Sequence, residues 1–341
     1  MNAILIPAYK PDMKLVELAQ KLVLHEDIAL VVVDDGSGES FKPVFSALPE
    51  QVKLISYPVN KGKGGALKTG IKYIYDNMPS VERLVTADAD GQHKYEDIRR
   101  VMELSEQNPG ALILGSRAFD GQDVPFRSRF GNGVTRAVFA LATGVKVYDT
   151  QTGLRGFDRA GMQAFMDVAG DRYEYEINVL LKATEDDIPI KELKIQTVYI
   201  EENKSSHFNA VKDSWRIYKC ILKFAASSFL AFIIDYIGRL ALNFMGGVAA
   251  NIVSRIVSAT VNFYVNKKVV FKTTESTGKA ALKYAALALC VLAVDTVVNE
   301  WLLITVCNIP VWIAKPITEI IMFLINYPLQ KKYVYKKRAS V

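Results

Sequence analysis

Cysteine is scarce in this chain of 341 residues: Cys220, Cys290 and Cys307 are the only three, all past residue 215. Isolated thiols build neither a disulfide framework nor a zinc site, so both classes drop out. The start of the chain lacks the succession of basic, apolar and small-residue regions that marks a secretory leader. Met1 runs straight into a strand pattern, and no signal peptide is expected. Polar linkers are nearly missing too, Thr273 to Gly278 being the one stretch of note. Nor does the net charge of +6 gather into a nucleic-acid face, because the lysines and arginines past residue 210 sit at the ends of apolar runs beside Trp215 and Tyr218. Such placement belongs to membrane proteins.

What is present is an alternation. Residues 2–9, Asn-Ala-Ile-Leu-Ile-Pro-Ala-Tyr, form a short apolar run, and residues 28–33 form a second that delivers Asp34-Asp35-Gly36-Ser37-Gly38. Between them Leu15, Leu18 and Leu22 recur at helical spacing, so strand, helix and strand follow one another as in a parallel sheet. A third strand, Val52 to Tyr57, leads to Asn60-Lys61-Gly62-Lys63-Gly64-Gly65 and a helix to about Asp76. A fourth, Arg83 to Ala87, ends in Asp88-Ala89-Asp90-Gly91-Gln92, and a fifth, Ala111 to Leu114, in Gly115-Ser116-Arg117. Charges thus collect at the carboxyl ends of strands, where open α/β sheets bind ligands. Two carboxylates spaced by two, with a glycine to turn the backbone, suit a hard divalent cation that keeps open positions for phosphate oxygens.

With Asp149-Thr150-Gln151-Thr152-Gly153-Leu154-Arg155-Gly156-Phe157 added, residues 1 to about 210 resemble a family 2 glycosyltransferase of the nucleotide-diphospho-sugar (GT-A) fold. The polyprenyl- and dolichyl-phosphate sugar synthases are the nearest likeness. The resemblance implies an α/β domain with a Rossmann-like, mostly parallel sheet over residues 1–215. It also implies that Pro7, Ala8, Tyr9, Asp34, Asp35, Lys63 and Asp88 bind a UDP- or GDP-linked sugar. Asp88, Asp90 and Gln92 would hold Mg²⁺ or Mn²⁺ against the pyrophosphate, with Asp90, Arg117 and Arg129 carrying catalysis. Arg117, Arg129 and Lys204 would meet the phosphate of the lipid acceptor. Two segments depart from the synthases. Lys10-Pro11 stands where they show Asn-Glu, and Glu201 to Phe208 stands in place of an arginine and a Gly-x-Ser-Lys loop, leaving the basic role there to Lys204 or His207.

The chemistry can be stated without the family. A departing diphosphate gathers negative charge, which a bound cation stabilises. A hydroxyl acceptor needs a base, whereas a phosphate monoester is already anionic and needs only positioning by arginine forks. The resemblance further implies that one of Glu174 and Glu176 orients the acceptor or the sugar, although acidic residues also favour a helix N-terminus for dipole reasons. His93 either joins the metal or faces outward at a helix start, and His25 reads as surface. Arg127, Arg129 and Arg136 against Phe126, Phe130, Val134, Val138, Phe139 and Leu141 fit a helix at a lipid interface, or one packed on the sheet with its arginines in water.

Past residue 215 the composition changes. Residues 221–242, 248–265, 280–304 and 311–329 are each near the length that crosses a bilayer of about 30 Å. Asp235, Arg239, Arg255, Asp295, Glu300, Lys315 and Glu319 interrupt them, so some faces must meet one another or water. This half repeats itself: Leu222-Lys223-Phe224-Ala225-Ala226 recurs as Leu282-Lys283-Tyr284-Ala285-Ala286, and Asn262 to Phe271 as Asn326 to Tyr335. It resembles the GtrA-like membrane domain, giving an all-α second domain over 216–341. Basic clusters before the first run, between the second and third, and after the fourth place both termini and the transferase on the cytoplasmic side of the plasma membrane. Asp235 and Asp295 either line a polar groove or pair with Arg239 and Arg255.

The expectation is a membrane-bound, inverting, metal-dependent transferase that moves a sugar onto a polyprenyl phosphate, undecaprenyl phosphate in a bacterium, for cell-envelope glycans. The alternative is a glycolipid flippase or binding module coupled to a transferase domain. Nucleic acid is not an expected partner, and self-association into a homo-oligomer is left open.

Overall fold

The computed structural model describes residues 1–24, 28–117, 126–196, 215–242, 244, 247–271, 273, 276–296, 307 and 311–335. The chain divides into two compact units, residues 1–137 with 145–215, and residues 138–144 with 216–341.

In the first unit β1 (Asn2–Ala8), β2 (Ile28–Asp34), β3 (Lys53–Ser56) and β4 (Arg83–Thr86) run parallel. Leu5 of β1 registers with Val31 on one side and Thr86 on the other. A strand covered on both faces needs a continuous apolar run, and Ala3 to Ile6 are all fully buried. Helix α1 (Met13–Leu22) begins where the Asp12 carboxylate accepts a hydrogen bond from the Lys14 N–H, and it turns Leu15, Leu18 and Leu22 into the core. Helices α2 (Lys42–Ser46), α3 (Lys63–Asn77) and α4 (Tyr95–Glu106) follow β2, β3 and β4.

Three more strands, β5 (Leu112–Arg117), β6 (Arg155–Asp158) and β7 (Ile190–Ile195), complete a seven-stranded sheet of order β3-β2-β1-β4-β6-β5-β7. β7 is parallel to β5, but β6 runs antiparallel to both its neighbours, with Leu84 opposite Phe157 and Ile113 opposite Gly156. The sheet is therefore mixed. Helices α5 (Phe126–Thr143), α6 (Arg159–Phe165) and α7 (Glu174–Glu185) lie along this half of the chain. Successive strands β1, β2 and β3 step one way and β4 lies on the other side of β1, so the order switches direction between β1 and β4.

The second unit is helical: α8 (Trp215–Ala241), α9 (Gly247–Val265), α10 (Thr277–Thr296) and α11 (Val311–Leu329). Both α9 and α11 run into a five-residue π-helical turn, 266–270 and 330–334, at the two copies of the sequence repeat. Equivalent residues of the copies meet. Asn266 Nδ2 donates to Gln330 Oε1 at 3.0 Å, and the Phe271 and Tyr335 rings stack with centroids 4.9 Å apart. Each copy repeats the same inner bond, Asn266 to Asn262 at 2.8 Å and Gln330 to Asn326 at 3.1 Å.

Among the described residues no helix is long and apolar enough to cross a membrane. Ser227, Ser254, Ser258, Asn262, Asn266 and Gln330 are buried inside the unit, while Leu282 and Leu289 are 75% and 69% exposed. The side chains of Asp235, Arg239, Arg255 and Asp295 lie outside the described residues, as do Lys204, His207 and His25.

Candidate functional site

Asp88 and Asp90 leave the sheet just after β4, at the edge of the crevice where the strand order switches. Such crevices are where open α/β sheets take ligands. Lys63, the first residue of α3, places its Nζ 2.7 Å from Asp88 Oδ1 and 2.8 Å from Glu176 Oε1 of α7. Of the two carboxylates at the start of α7, Glu176 is buried and reaches the site, whereas Glu174 turns back to accept the N–H groups of Asp171 and Arg172.

Burial opposes charge on Asp88, but Lys63, and behind it His93 and Arg117, outweigh that cost and hold the carboxyl at about 2. Lys63 is raised above the usual lysine range, because Asp88 and Glu176 overcome the burial that would lower it. Asp90 makes no ion pair among the described residues. Burial first, and then the neighbouring Asp88, push its carboxyl up, although its Oδ1 accepts the Gln92 N–H at 3.0 Å. His93 does not face outward: it is 6% exposed, and its Nδ1 accepts the Asp88 N–H at 3.0 Å. It pins the backbone of the acidic turn.

The 149–157 segment forms the opposite wall. Thr86 Oγ1 donates to the Gly153 carbonyl at 2.7 Å and Thr152 Oγ1 to the Gly115 carbonyl at 2.6 Å, tying this loop to β4 and β5. Gly153 then lies so close that an added Cβ would stand 2.5 Å from Asp88 Oδ2 and 2.6 Å from Oδ1. Gly153→Ala is expected to push Asp88 off Lys63 and lower turnover by on the order of 10²-fold, the cost of a misplacement near 1 Å. Melting and steady-state rates on one preparation check this: an unchanged rate would refute it.

The residues placed by sequence in a base and ribose pocket divide by role. Pro7 and Ala8 are buried at the end of β1, and Tyr9 is exposed with the Lys10 ammonium over its ring. Lys10 has φ +51°, a left-handed backbone in which asparagine sits more easily, and its N–H donates to Ser37 Oγ. Asp34 accepts the Ser37 N–H at 2.9 Å. Asp35, 2% exposed, takes Tyr57 Oη at 2.6 Å, Asn60 Nδ2 at 2.8 Å and the N–H groups of Lys61 and Gly62 at 2.8 and 2.9 Å. Its carboxylate is fully engaged in shaping the loop that presents Lys63. Burial and the bond to Asp35 raise the Tyr57 hydroxyl above its ordinary range.

Arg117, at the end of β5, grips Asp149 in a two-pronged fork, Nε to Oδ2 at 2.7 Å and Nη2 to Oδ1 at 3.1 Å. Glu192 of β7 holds the same loop by accepting the Tyr148 N–H at 2.9 Å, the Asp149 N–H at 3.3 Å and the Ser116 hydroxyl. Arg129 lies on α5, its side chain outside the described residues, and Arg136 stands over the Tyr148 ring at 5.8 Å. Sequence reasoning missed Gly153, Glu192 and the Lys63–Glu176 contact, all of which depend on long-range packing.

Among the described residues no three His, Cys, Asp or Glu side chains form a metal cluster. The donors at hand are two carboxylates and the Gln92 amide, all oxygen, and the charge of Asp90 is offset only in part, by His93 and Lys63. This set fits a hard cation that takes its other ligands from phosphate.

The glycosyl transferase family 2 profile matches residues 4–169, and a GtrA/DPMS transmembrane domain profile matches residues 223–335. The chain is 30% identical over 224 residues to an uncharacterised protein of Methanocaldococcus jannaschii, covering 64% of this chain and 90% of that protein. It is 28% identical over 228 residues to a UDP-N-acetylglucosamine–dolichyl-phosphate N-acetylglucosaminyltransferase of Methanococcus voltae, covering 61% and 90%. Among solved structures, glucosyl-3-phosphoglycerate synthase of Mycobacterium tuberculosis with UDP is 16% identical with a TM-score of 0.47, covering 64% of this chain and 79% of that one.

Proposed function

We propose, from the premise that this chain belongs to glycosyl transferase family 2, that it transfers a sugar from a nucleotide diphosphate to a polyprenyl phosphate, with inversion, at a membrane. The observation that carries this reading is the acidic pair at the β1–β4 crevice, with Asp88 tied to Lys63 and Asp90 pushed up by burial and by Asp88 with no ion pair among the described residues. Asp90, Asp88 and Gln92 would hold Mg²⁺ or Mn²⁺, which when bound supplies Lewis-acid stabilisation of the diphosphate. Lys63 offers an ammonium to the same oxygens. Tyr9, exposed at the mouth, suits stacking on the base.

An oxygen of the acceptor phosphate forms the new bond to the anomeric carbon as the bond to the diphosphate breaks, and the nucleoside diphosphate departs with the electron pair. No proton has to leave the acceptor, so a base is dispensable. We assign the acceptor phosphate to Arg117, whose grip on Asp149 fixes its guanidinium plane, with Arg129 and Lys204 as further cations. The relative from Methanococcus voltae transfers N-acetylglucosamine to dolichyl phosphate, which supports a lipid phosphate acceptor here. The match to a transmembrane domain family, the outward leucines of α10 and the inward amides support insertion of the second unit as a bundle that hides its polar faces. Positive-inside placement of the lysines would keep the transferase cytoplasmic.

The full chain in detergent, given a panel of UDP- and GDP-sugars with a prenyl phosphate and Mn²⁺, is expected to yield a lipid heavier by one sugar residue, its phosphate monoester converted to a diester. Chelator should stop it. Free sugar without lipid product, or full turnover in chelator, would sink the reading.

A further inference from the structure

The ion pair of Lys63 with Asp88 is only the outer end of a longer arrangement. Behind Lys63 stands Glu176, and behind Glu176 stands Arg155 of β6, 4% exposed. Arg155 donates from Nε to the Thr152 carbonyl at 2.9 Å and from Nη1 to the Glu176 carbonyl at 2.7 Å, so one guanidinium joins the 149–157 loop to α7. Its Nη2 has no hydrogen-bond partner among the described residues, and Arg155, Glu176 and Thr86 together line a small cavity. Formal charges therefore alternate along Arg155, Glu176, Lys63 and Asp88, contributed by β6, α7, α3 and the end of β4.

We propose that Glu176 is a positioning residue for the donor's diphosphate: it holds the Lys63 ammonium in a fixed place shared with Asp88, while Arg155 fixes Glu176 from behind. A lysine paired with Asp88 alone is free to swing across both its oxygens and to follow the carboxylate. Anchored at a second point, the ammonium keeps one position, and a phosphate oxygen meets a donor that needs no reorganisation. Arg155 contributes by being buried and forked rather than by touching a ligand. Burial lowers its pKa and Glu176 opposes that drop, as expected for neighbours in one charge series.

This inference rests on the transferase reading of the crevice, and the test separates the two. The full chain in detergent is titrated calorimetrically with UDP and with GDP, each in Mn²⁺, for the parent, Lys63→Met, Glu176→Gln and the double variant, with melting curves on the same preparations. Each single change is expected to weaken binding of the preferred nucleotide roughly tenfold, the scale of one charge-assisted bond. The double variant should be no weaker than Lys63→Met, because Glu176 acts through that lysine. Glu176→Asp, which keeps the charge on a shorter stem, should fall between parent and Glu176→Gln, and it replaces Glu176→Gln in the cycle if the latter gives no cooperative melt. Losses that multiply in the double variant, or a lower melting point with affinity intact, overturn the proposal while the site reading stands. If neither nucleotide binds the parent, the site reading falls and the inference with it.

Discussion

Asp90→Asn is expected to reduce sugar transfer by on the order of 10³-fold or more while leaving the protein as stable as the parent or more so. The rate loss follows from the charge that a cation at this turn contributes to the leaving diphosphate, several kcal/mol at about 1.4 kcal/mol per factor of ten. The stability effect runs the other way. Burial and Asp88 both raise the Asp90 carboxyl, so its ionised form is disfavoured in the folded chain relative to the unfolded one. That penalty builds as pH rises through the raised value and is relieved as pH falls through it. Asparagine removes it at every pH. In chelator, the melting advantage of Asp90→Asn over the parent should therefore grow as pH rises through that value and close in acid. Adding Mn²⁺ with the nucleoside diphosphate should raise the melting point of the parent but not of the variant, since only the parent binds. A variant that melts lower than the parent in chelator, or that keeps turnover, would contradict this account.

The parts of this site that were legible in the sequence are those that a few neighbouring residues decide. The apolar runs Ala3 to Ile6 and Leu30 to Val33 are buried strands on both faces, and a run of that kind followed by acid and glycine reads directly as a loaded sheet edge. Asp88 and Asp90 were found this way. Asp35 is different: nothing local distinguishes it from Asp34, and only folding reveals that one carboxylate is clamped by four donors of the 57–62 loop. His93 likewise looks like any residue at a helix start until the turn closes over it. Strand β6, the four residues Arg-Gly-Phe-Asp, carries no apolar run and exists because Leu84 and Ile113 offer it paired edges. In the second unit hydropathy averages over a whole helix, so it cannot separate an inward Asn266 from an outward Leu289; the internal repeat was the better guide, since its equivalent residues meet.

Asp149→Ala carries the largest expected loss of stability. Its carboxylate is fully buried and receives Nε and Nη2 of Arg117, the Arg117 N–H at 3.2 Å and the Gln151 N–H at 3.1 Å. Removing one member of a buried pair leaves the other charge without compensation, which costs about 3–5 kcal/mol. For a unit of this size that lowers the melting point by roughly 10 °C. Replacing both partners at once, Arg117→Leu with Asp149→Leu, should recover part of that loss, because no buried charge is then stranded. The pair variant also isolates what Arg117 does for the acceptor. If the arginine serves only to hold the 149–157 loop, restoring the fold restores the affinity for prenyl phosphate along with it. If it also meets the acceptor phosphate, as assigned above, KM for the prenyl phosphate stays raised by tenfold or more in the refolded double variant while the affinity for nucleoside diphosphate returns toward that of the parent, a split that packing alone does not produce.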